Sequence, residues 1–222
     1  MKNKTAVGIT LIALVSCGIM TFVDGVLQPG YALKSVIKIC LFLLIPLAYA
    51  FINKEVAVKS VFKFDKKQFF VSLLLGISLY GIILGAYFIV RPFFDFSGIV
   101  DSLSSTAGVT KENFLFVAIY ISFINSLLEE FFFRGFVFMN LKNRSTRVLA
   151  YVVSSVLFSL YHVAMMIGWF NIGLFALVVV ALAVGGAIFN LLNEKHGSIY
   201  TSWFVHMFAN FAINTIGFIL MK

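Results

Sequence analysis

Most of the chain consists of apolar runs that are long enough to cross a lipid bilayer and are separated by polar segments, of which residues 91–112 are expected to form a longer loop. A helix needs about 20 such residues to span the hydrocarbon, and backbone in lipid must satisfy its own hydrogen bonds. Seven runs have about this length: residues 5–23, 35–52, 69–90, 113–139, 148–167, 171–192 and 199–221. The sequence therefore predicts an all-α fold, a polytopic transmembrane helical bundle of seven helices, or eight if residues 53–68 are partly inserted.

The composition excludes an ordinary soluble domain. The chain is 61% hydrophobic and 12% charged, whereas soluble domains average about 45–50% apolar and about 25% charged residues. The net charge of +8 is not arranged as a basic stripe interleaved with aromatic residues, which argues against nucleic acid as a partner. We expect the lipid bilayer to be the main partner, with the positive charge serving topology and anionic headgroups.

Lysine and arginine residues predict the orientation of the bundle. With seven crossings, the N-terminus and the stretches 53–68, 140–147 and 193–198 place eleven basic residues on one side. The other side holds four: Lys34, Arg91, Lys111 and Lys222. Because basic residues concentrate on the cytoplasmic side, we predict a multi-pass protein of the cell membrane with a cytoplasmic N-terminus.

We interpret residues 53–68 as a basic surface segment that lies along the headgroups. We interpret Lys38 as a residue whose side chain snorkels to the end of its helix.

The fourth run contains two adjacent carboxylates and an arginine, Glu129, Glu130 and Arg134. A charged residue at the centre of a transmembrane helix costs roughly 2.5–3.5 kcal/mol, so such residues are functional candidates. In a helix Glu130 and Arg134 are one turn apart and can pair, whereas Glu129 is rotated by about 100°. The pattern predicts that Glu130 forms a structural pair and that Glu129 finds other partners. Asn125, one turn earlier, could orient Glu129 or bridge two helices.

Three further polar residues lie in later runs: His162, His206 and Asn210. His206 and Asn210 share one helix face because they are four residues apart. At about 1.5 Å per residue from the cytoplasmic ends, Glu129 lies about 15 Å deep, His162 about 21 Å, His206 about 11 Å and Asn210 about 16 Å. These similar depths on three helices predict one shared cavity, open towards the cytoplasmic side.

Such a cavity can activate water for hydrolysis. A carboxylate in apolar surroundings can act as a general base, and histidine and asparagine side chains can donate to a developing oxyanion. Alternatively, two histidines and a carboxylate could bind a zinc ion with an open position for water. The spacing leaves both routes open, and no His-Glu-x-x-His motif favours the metal. Taken singly, an intramembrane histidine is as well explained by helix packing.

The motifs resemble those of a known protease family. Glu-Glu-x-x-x-Arg at Glu129–Arg134, Phe-x-x-x-His ending at His162, and His-x-x-x-Asn from His206 to Asn210 are similar to those of the CPBP family. This family comprises CAAX-type proteases and bacteriocin-processing enzymes, is also called the Abi family, and is related to type II prenyl-protein endopeptidases. The resemblance implies an intramembrane endopeptidase with a helical-bundle fold.

The resemblance also implies roles for individual residues. Glu129 would activate the water, supported by Glu130 and Arg134, and His162 would help to hold that water. His206 and Asn210 would form the oxyanion site. If zinc (Zn2+) is bound, His162 and His206 would be its ligands, although the sparse ligand set favours a metal-free, glutamate-dependent mechanism. Residues 111–222 would be the catalytic core, and the helices and basic segment of residues 1–110 would shape substrate access.

The expected substrate is a peptide or protein associated with the membrane, either lipidated or membrane-embedded. Some relatives cleave prenylated C-terminal tails, but thirteen lysines against four arginines are typical of an AT-rich bacterial source, where prenylated CAAX proteins are not expected. Peptide or bacteriocin maturation, or self-immunity, then fits better. Two other classes stay open. One is a non-catalytic immunity or scaffold protein that uses the polar cluster for helix packing and partner binding. The other, weaker one is a transporter.

Overall fold

The computed structural model describes residues 2–221, and within them all regular secondary structure is helical. We number the helices as follows: α1 Lys4–Leu27, α2 Tyr31–Ile52, α3 Lys66–Val90, α4 Ser97–Ala107, α5 Phe114–Lys142, α6 Arg147–Met166, α7 Ile172–His196 and α8 Tyr200–Leu220. All except α4 are long and apolar enough to cross a membrane. The predicted seven-helix transmembrane bundle is confirmed. Lys222, which entered the orientation count, lies outside the described residues.

Two features of the connections differ from the sequence prediction. The stretch between α3 and α5 was expected to be a loop, but it contains the eleven-residue helix α4. Its Ser-, Gly- and Thr-rich composition is poor for a helix, and Gly108 ends it with a positive φ of 64°, as a C-terminal glycine often does. Helix α2 also begins at Tyr31, four residues before the predicted start.

Helix α5, which carries the charged motif Glu129, Glu130 and Arg134, lies among several other helices. It contacts α2, α6 and α8, while α3 packs along α8 and α6 packs along α7. Aromatic side chains fill the space around α5: Phe132 stacks on Phe42 of α2 at 4.1 Å, and Phe133 meets Phe158 of α6 edge to face at 5.3 Å. This packed apolar core excludes water from the flanks of the charged motif and fixes the helices that carry it.

Helix α5 is not a regular α-helix. Its backbone is π-helical at Ile121–Asn125 and again at Glu130–Phe138, with a short α-helical stretch, Ser126–Glu129, between them. The wider π turn changes the angular spacing of the side chains, and π segments occur frequently at functional sites. The two adjacent glutamates lie at the junction where the second π segment begins.

The basic stretch between α2 and α3 is anchored to the ends of other helices. The Asn140 side chain accepts a hydrogen bond from the backbone N–H of Ala57 at 2.8 Å and donates one to the carbonyl oxygen of Ala57 at 3.0 Å. Val61 is buried, and its carbonyl accepts from the N–H of Ile199 at 2.9 Å. Lys54, Lys59 and Lys63 of this stretch nevertheless remain exposed, as do Lys66 and Lys67 at the start of α3. Residues 53–65 are therefore a folded cap on α5 and α8 with a basic outer face.

Candidate active site

One oxygen of the Glu129 carboxylate is held by three donors from three helices. Oε1 accepts a hydrogen bond from Nδ2 of Asn125 at 2.8 Å and from the hydroxyl of Tyr161 at 2.9 Å. The ammonium of Lys38 lies 3.4 Å from the same oxygen. Glu129 is only 1% exposed. The orientation of the carboxylate is therefore determined at Oε1, which directs Oε2 to the other side.

The second oxygen, Oε2, faces two histidines. It lies 3.9 Å from Nε2 of His162 and 3.8 Å from Nε2 of His206. Nδ1 of His162 lies 2.7 Å from the carbonyl oxygen of Phe158. A carbonyl can only accept, so Nδ1 carries the proton and neutral His162 presents an unprotonated Nε2. Nε2 of His162 and Oε2 of Glu129 are thus two acceptors to which one water molecule can donate both hydrogens.

Glu130 forms a separate, fully buried network. Its Oε1 lies 3.2 Å from Nη1 of Arg134 and 2.9 Å from Nδ1 of His206, and its Oε2 accepts from the Ser202 hydroxyl at 2.5 Å. Glu130 and Arg134 are 0% exposed. The predicted pairing of Glu130 with Arg134 is confirmed, and Glu129 does have different partners. Glu130 also ties α5 to α8 and holds the His206 ring in place.

The guanidinium of Arg134 is enclosed by aromatic rings. Its central carbon lies 4.1 Å from the ring centre of Phe158 and 5.1 Å from that of Phe189. Gly186 of α7 allows this arrangement, because a Cβ there would lie 3.1 Å from Cα of Ser155 and 3.4 Å from Nη2 of Arg134. Helices α6 and α7 therefore pack closely at this glycine. The preceding Gly185 has open space where a Cβ would be.

Asn210 lies at the contact between α8 and α5. Its Nδ2 donates to the carbonyl oxygen of Ile121 at 3.1 Å, two turns before Glu129. One turn further along α8, Asn214 donates to the Ser122 hydroxyl at 3.0 Å. An amide nitrogen has two hydrogens, so Asn210 can bond Ile121 and still donate to a substrate. Its assignment to an oxyanion site stays a prediction.

Lys38 is the site residue that sequence reasoning placed wrongly. It does not snorkel to the helix end, because its Nζ lies 2.7 Å from Oδ1 of Asn125 and within reach of Glu129, and the residue is 9% exposed. A buried carboxylate attracts the cation more strongly than the distant headgroups do. Depth could have revealed this: Lys38 is fourteen residues from Ile52, about 21 Å from that end of α2, which equals the depth predicted for His162.

Tyr161 was also missed, although it precedes His162 directly in the sequence. Its hydroxyl bonds Oε1 of Glu129, and its ring packs against Phe42 at 5.3 Å between centres. Adjacent residues on a helix point about 100° apart, so Tyr161 and His162 reach Glu129 from different sides. The sequence contains many aromatic residues, and nothing in it distinguishes Tyr161 as a hydrogen-bond partner of Glu129.

The charges of the site fit a zinc ion poorly. Two carboxylates, Glu129 and Glu130, are already balanced by Lys38 and Arg134, so a dication would leave an excess of positive charge in a low-dielectric interior. Within residues 2–221, no group of three or more His, Cys, Asp or Glu side chains is arranged to hold a metal ion.

Comparison with known proteins supports the family resemblance. Residues 111–212 match the family model described as "Type II CAAX prenyl endopeptidase Rce1-like". The match covers just under half of the chain and includes all six residues of the predicted site. No match was found among the curated proteins or among the solved structures. The family match confirms the predicted resemblance to CAAX-type proteases over residues 111–212.

Proposed function

We propose that this protein is an intramembrane endopeptidase in which Glu129 activates the attacking water. One observation carries the proposal: Oε1 of Glu129 is occupied by donors while Oε2 is directed at Nε2 of His162 and of His206. A purely structural carboxylate would gain from hydrogen-bond donors at both oxygens. A carboxylate with one oxygen restrained and the other facing a histidine pair is suited to accept a proton from water.

In the proposed reaction, water lies between Oε2 of Glu129 and Nε2 of His162 and attacks the carbonyl carbon of the scissile peptide bond. Its proton moves to Oε2, and the carbonyl oxygen becomes an oxyanion. When the C–N bond breaks, the leaving nitrogen takes the proton from Glu129, which returns to its starting state. Water and one peptide thus give one carboxylic acid and one amine.

The oxyanion would be stabilised by His206 and Asn210. Nδ1 of His206 donates to Glu130. If the ring takes up a second proton from the solvent before the reaction, Glu130 would offset its charge, and Nε2 could donate to the oxyanion. The second amide hydrogen of Asn210 would provide the other donor. A prearranged donor of this kind contributes about 3–4 kcal/mol to transition-state stabilisation. Arg134 acts through Glu130 by balancing its charge.

We propose that the reaction is metal-free. The balanced charges of Glu129, Glu130, Lys38 and Arg134 support this, because each carboxylate already has a cationic partner. Purified protein should cleave its substrate in the presence of a strong chelator and should contain no stoichiometric zinc. Activity that disappears with the chelator and returns with zinc would contradict the proposal, and His162 and His206 would then become the candidate ligands.

The proposed substrate is a membrane-associated peptide or protein, reached from the cytoplasmic side. The basic face of residues 53–65, whose lysines are exposed, supports that orientation through the positive-inside rule. The description of the matching family brings a prenylated C-terminal tail into consideration. The excess of lysine over arginine is instead typical of an AT-rich bacterial source, where prenylated CAAX proteins are not expected. We therefore give precedence to maturation of an exported peptide or bacteriocin, or to self-immunity.

A non-catalytic immunity or scaffold protein is the second candidate. The network of Glu130, Arg134, His206 and Ser202 ties α5 to α8, and holding helices together is what a scaffold would require of polar residues. The scaffold function makes no use of the free oxygen of Glu129. It therefore predicts that Glu129→Gln behaves as wild type or fails through misfolding.

The test compares new peptide termini in membranes and medium of cells that produce wild type or Glu129→Gln at matched abundance. Specific termini that disappear with the intact variant would establish proteolysis and identify the cleaved bond. Identical termini in both cells, with the biological effect retained, would contradict catalysis by Glu129 and favour the scaffold. A peptide spanning the cleaved bond, with and without any lipid group found on it, then decides between lipidated and unmodified substrates.

A further inference from the structure

Helix α2 contributes one charged side chain to a site whose six predicted residues all lie within 111–212, the range that matches the family model. The ammonium of Lys38 lies 2.7 Å from Oδ1 of Asn125, 3.4 Å from Oε1 of Glu129 and 5.0 Å from the ring centre of Tyr161. Its side chain is 11% exposed. Lys38, Asn125, Tyr161 and Glu129 thus form one connected cluster across three helices.

The site needs a cation at this position. Arg134 lies against Glu130, so it cannot neutralise Glu129 to the same extent. An ionised carboxylate without a cation is costly inside a membrane protein and would tend to take up a proton. A protonated Glu129 could not accept a proton from water. The ion pair with Lys38 keeps the carboxylate in the form that the proposed reaction requires.

Lys38 also restricts which oxygen can react. Asn125 cannot turn freely, because its Oδ1 accepts from Lys38 while its Nδ2 donates to Oε1 of Glu129. This arrangement fixes the side-chain amide in the orientation that donates to Glu129. Removing Lys38 would free the amide to rotate, and Oε2 would lose its defined direction towards His162 and His206.

We propose that Lys38 is a positioning residue of the active site, which pairs with Oε1 of Glu129 and supplies the fixed positive charge that a metal ion would supply in a metalloprotease. The inference rests on the proposed function. It gives the N-terminal half of the chain a part in catalysis through Glu129, beyond the substrate access that the sequence predicted for residues 1–110.

The test measures kcat and KM of the reconstituted full-length protein with three substitutions. Lys38→Met removes the charge while keeping the length of the side chain, and Lys38→Arg keeps the charge. Lys34→Met is the matched control, because Lys34 lies one turn earlier on α2 and pairs with Asp24 at 2.7 Å instead. The substrate is a synthetic peptide spanning the bond identified by the terminus comparison.

We expect Lys38→Met to lower kcat by about 100-fold with little change in KM, as expected when preorganised charge in an active site is lost. Lys38→Arg should recover part of kcat, and Lys34→Met should retain it. If Lys38→Met keeps the wild-type kcat, or if Lys34→Met loses as much activity, the inference is wrong. Loss of activity in Lys38→Arg equal to that in Lys38→Met would also overturn it.

Thermal unfolding distinguishes positioning from a general folding defect. Lys38→Met should lower the unfolding temperature less in the Glu129→Gln background than in wild type, because no unpaired carboxylate remains. Equal losses in both backgrounds would contradict the proposed pair. If wild type itself cleaves nothing, the proposed function fails. If wild type is active, Glu129→Gln is inactive and Lys38→Met is fully active, only the role of Lys38 fails.

Discussion

Oε2 of Glu129 and Nε2 of His206 lie 3.8 Å apart, and each belongs to a side chain whose other polar atom is already engaged. Oε1 of Glu129 is held by Asn125 and Tyr161, and Nδ1 of His206 is held by Glu130. The two facing atoms are therefore those that remain for substrate and water. The two glutamates play different parts: one presents a reactive oxygen, and the other fixes the histidine that faces it.

Replacing Tyr161 with phenylalanine removes one of the donors to Oε1 and keeps the ring that packs on Phe42. The carboxylate should become less well oriented, so we expect kcat to fall about tenfold, corresponding to about 1.4 kcal/mol, with little change in unfolding temperature. Steady-state kinetics and thermal unfolding of the same preparation check this. An unchanged kcat would show that Tyr161 does not orient Glu129.

Substitution of Glu130 by glutamine should affect stability more than substitution of Glu129. Arg134 is fully buried against Glu130, and breaking a buried ion pair by removing one partner costs about 3–5 kcal/mol. Glu130→Gln should therefore lower the unfolding temperature and the yield. Glu129→Gln should lose less, since the Lys38 ammonium keeps its hydrogen bond to Oδ1 of Asn125 at 2.7 Å. Equal stability of the two variants would contradict the asymmetry between the glutamates.

Alanine substitutions at the adjacent glycines of α7 test the packing beside Arg134. A Cβ at Gly186 would meet the backbone of Ser155 at 3.1 Å, whereas a Cβ at Gly185 would meet nothing within 4 Å. Overpacking of this kind costs about 1–3 kcal/mol, so Gly186→Ala should lower the unfolding temperature. Gly185→Ala is the matched control and should be neutral. The same loss in both variants would refute the close contact of α6 and α7 at Gly186.

Much of the fold follows from the sequence because membrane insertion imposes strong rules. Seven apolar runs predicted seven spanning helices, which the structure contains, and helical spacing alone paired Glu130 with Arg134. Depth along the helices also brought Glu129, His162 and His206 to one level, and they do converge. These predictions succeeded because they depend on local geometry and on the thickness of the bilayer.

The remaining features depend on contacts between distant parts of the chain. Lys38 is separated from Glu129 by 91 residues. Its depth in α2 indicates a buried position, but its partner lies in a distant part of the chain that no local pattern identifies. The π-helical segment Glu130–Phe138 is a matter of backbone hydrogen bonding within a packed core, for which its phenylalanine-rich sequence gives no sign. Helix α4 likewise forms in a stretch of low helix propensity.

The most direct test of the account is cleavage of the identified peptide by reconstituted wild type and Glu129→Gln in water enriched in ¹⁸O, with unfolding temperatures measured in parallel. We predict that wild type places one ¹⁸O atom in the new carboxyl group. We predict that Glu129→Gln, folded to the same extent, cleaves about 10²–10⁴-fold more slowly, the contribution typical of a general base. Cleavage by Glu129→Gln at the wild-type rate would contradict the central claim that Glu129 activates the water.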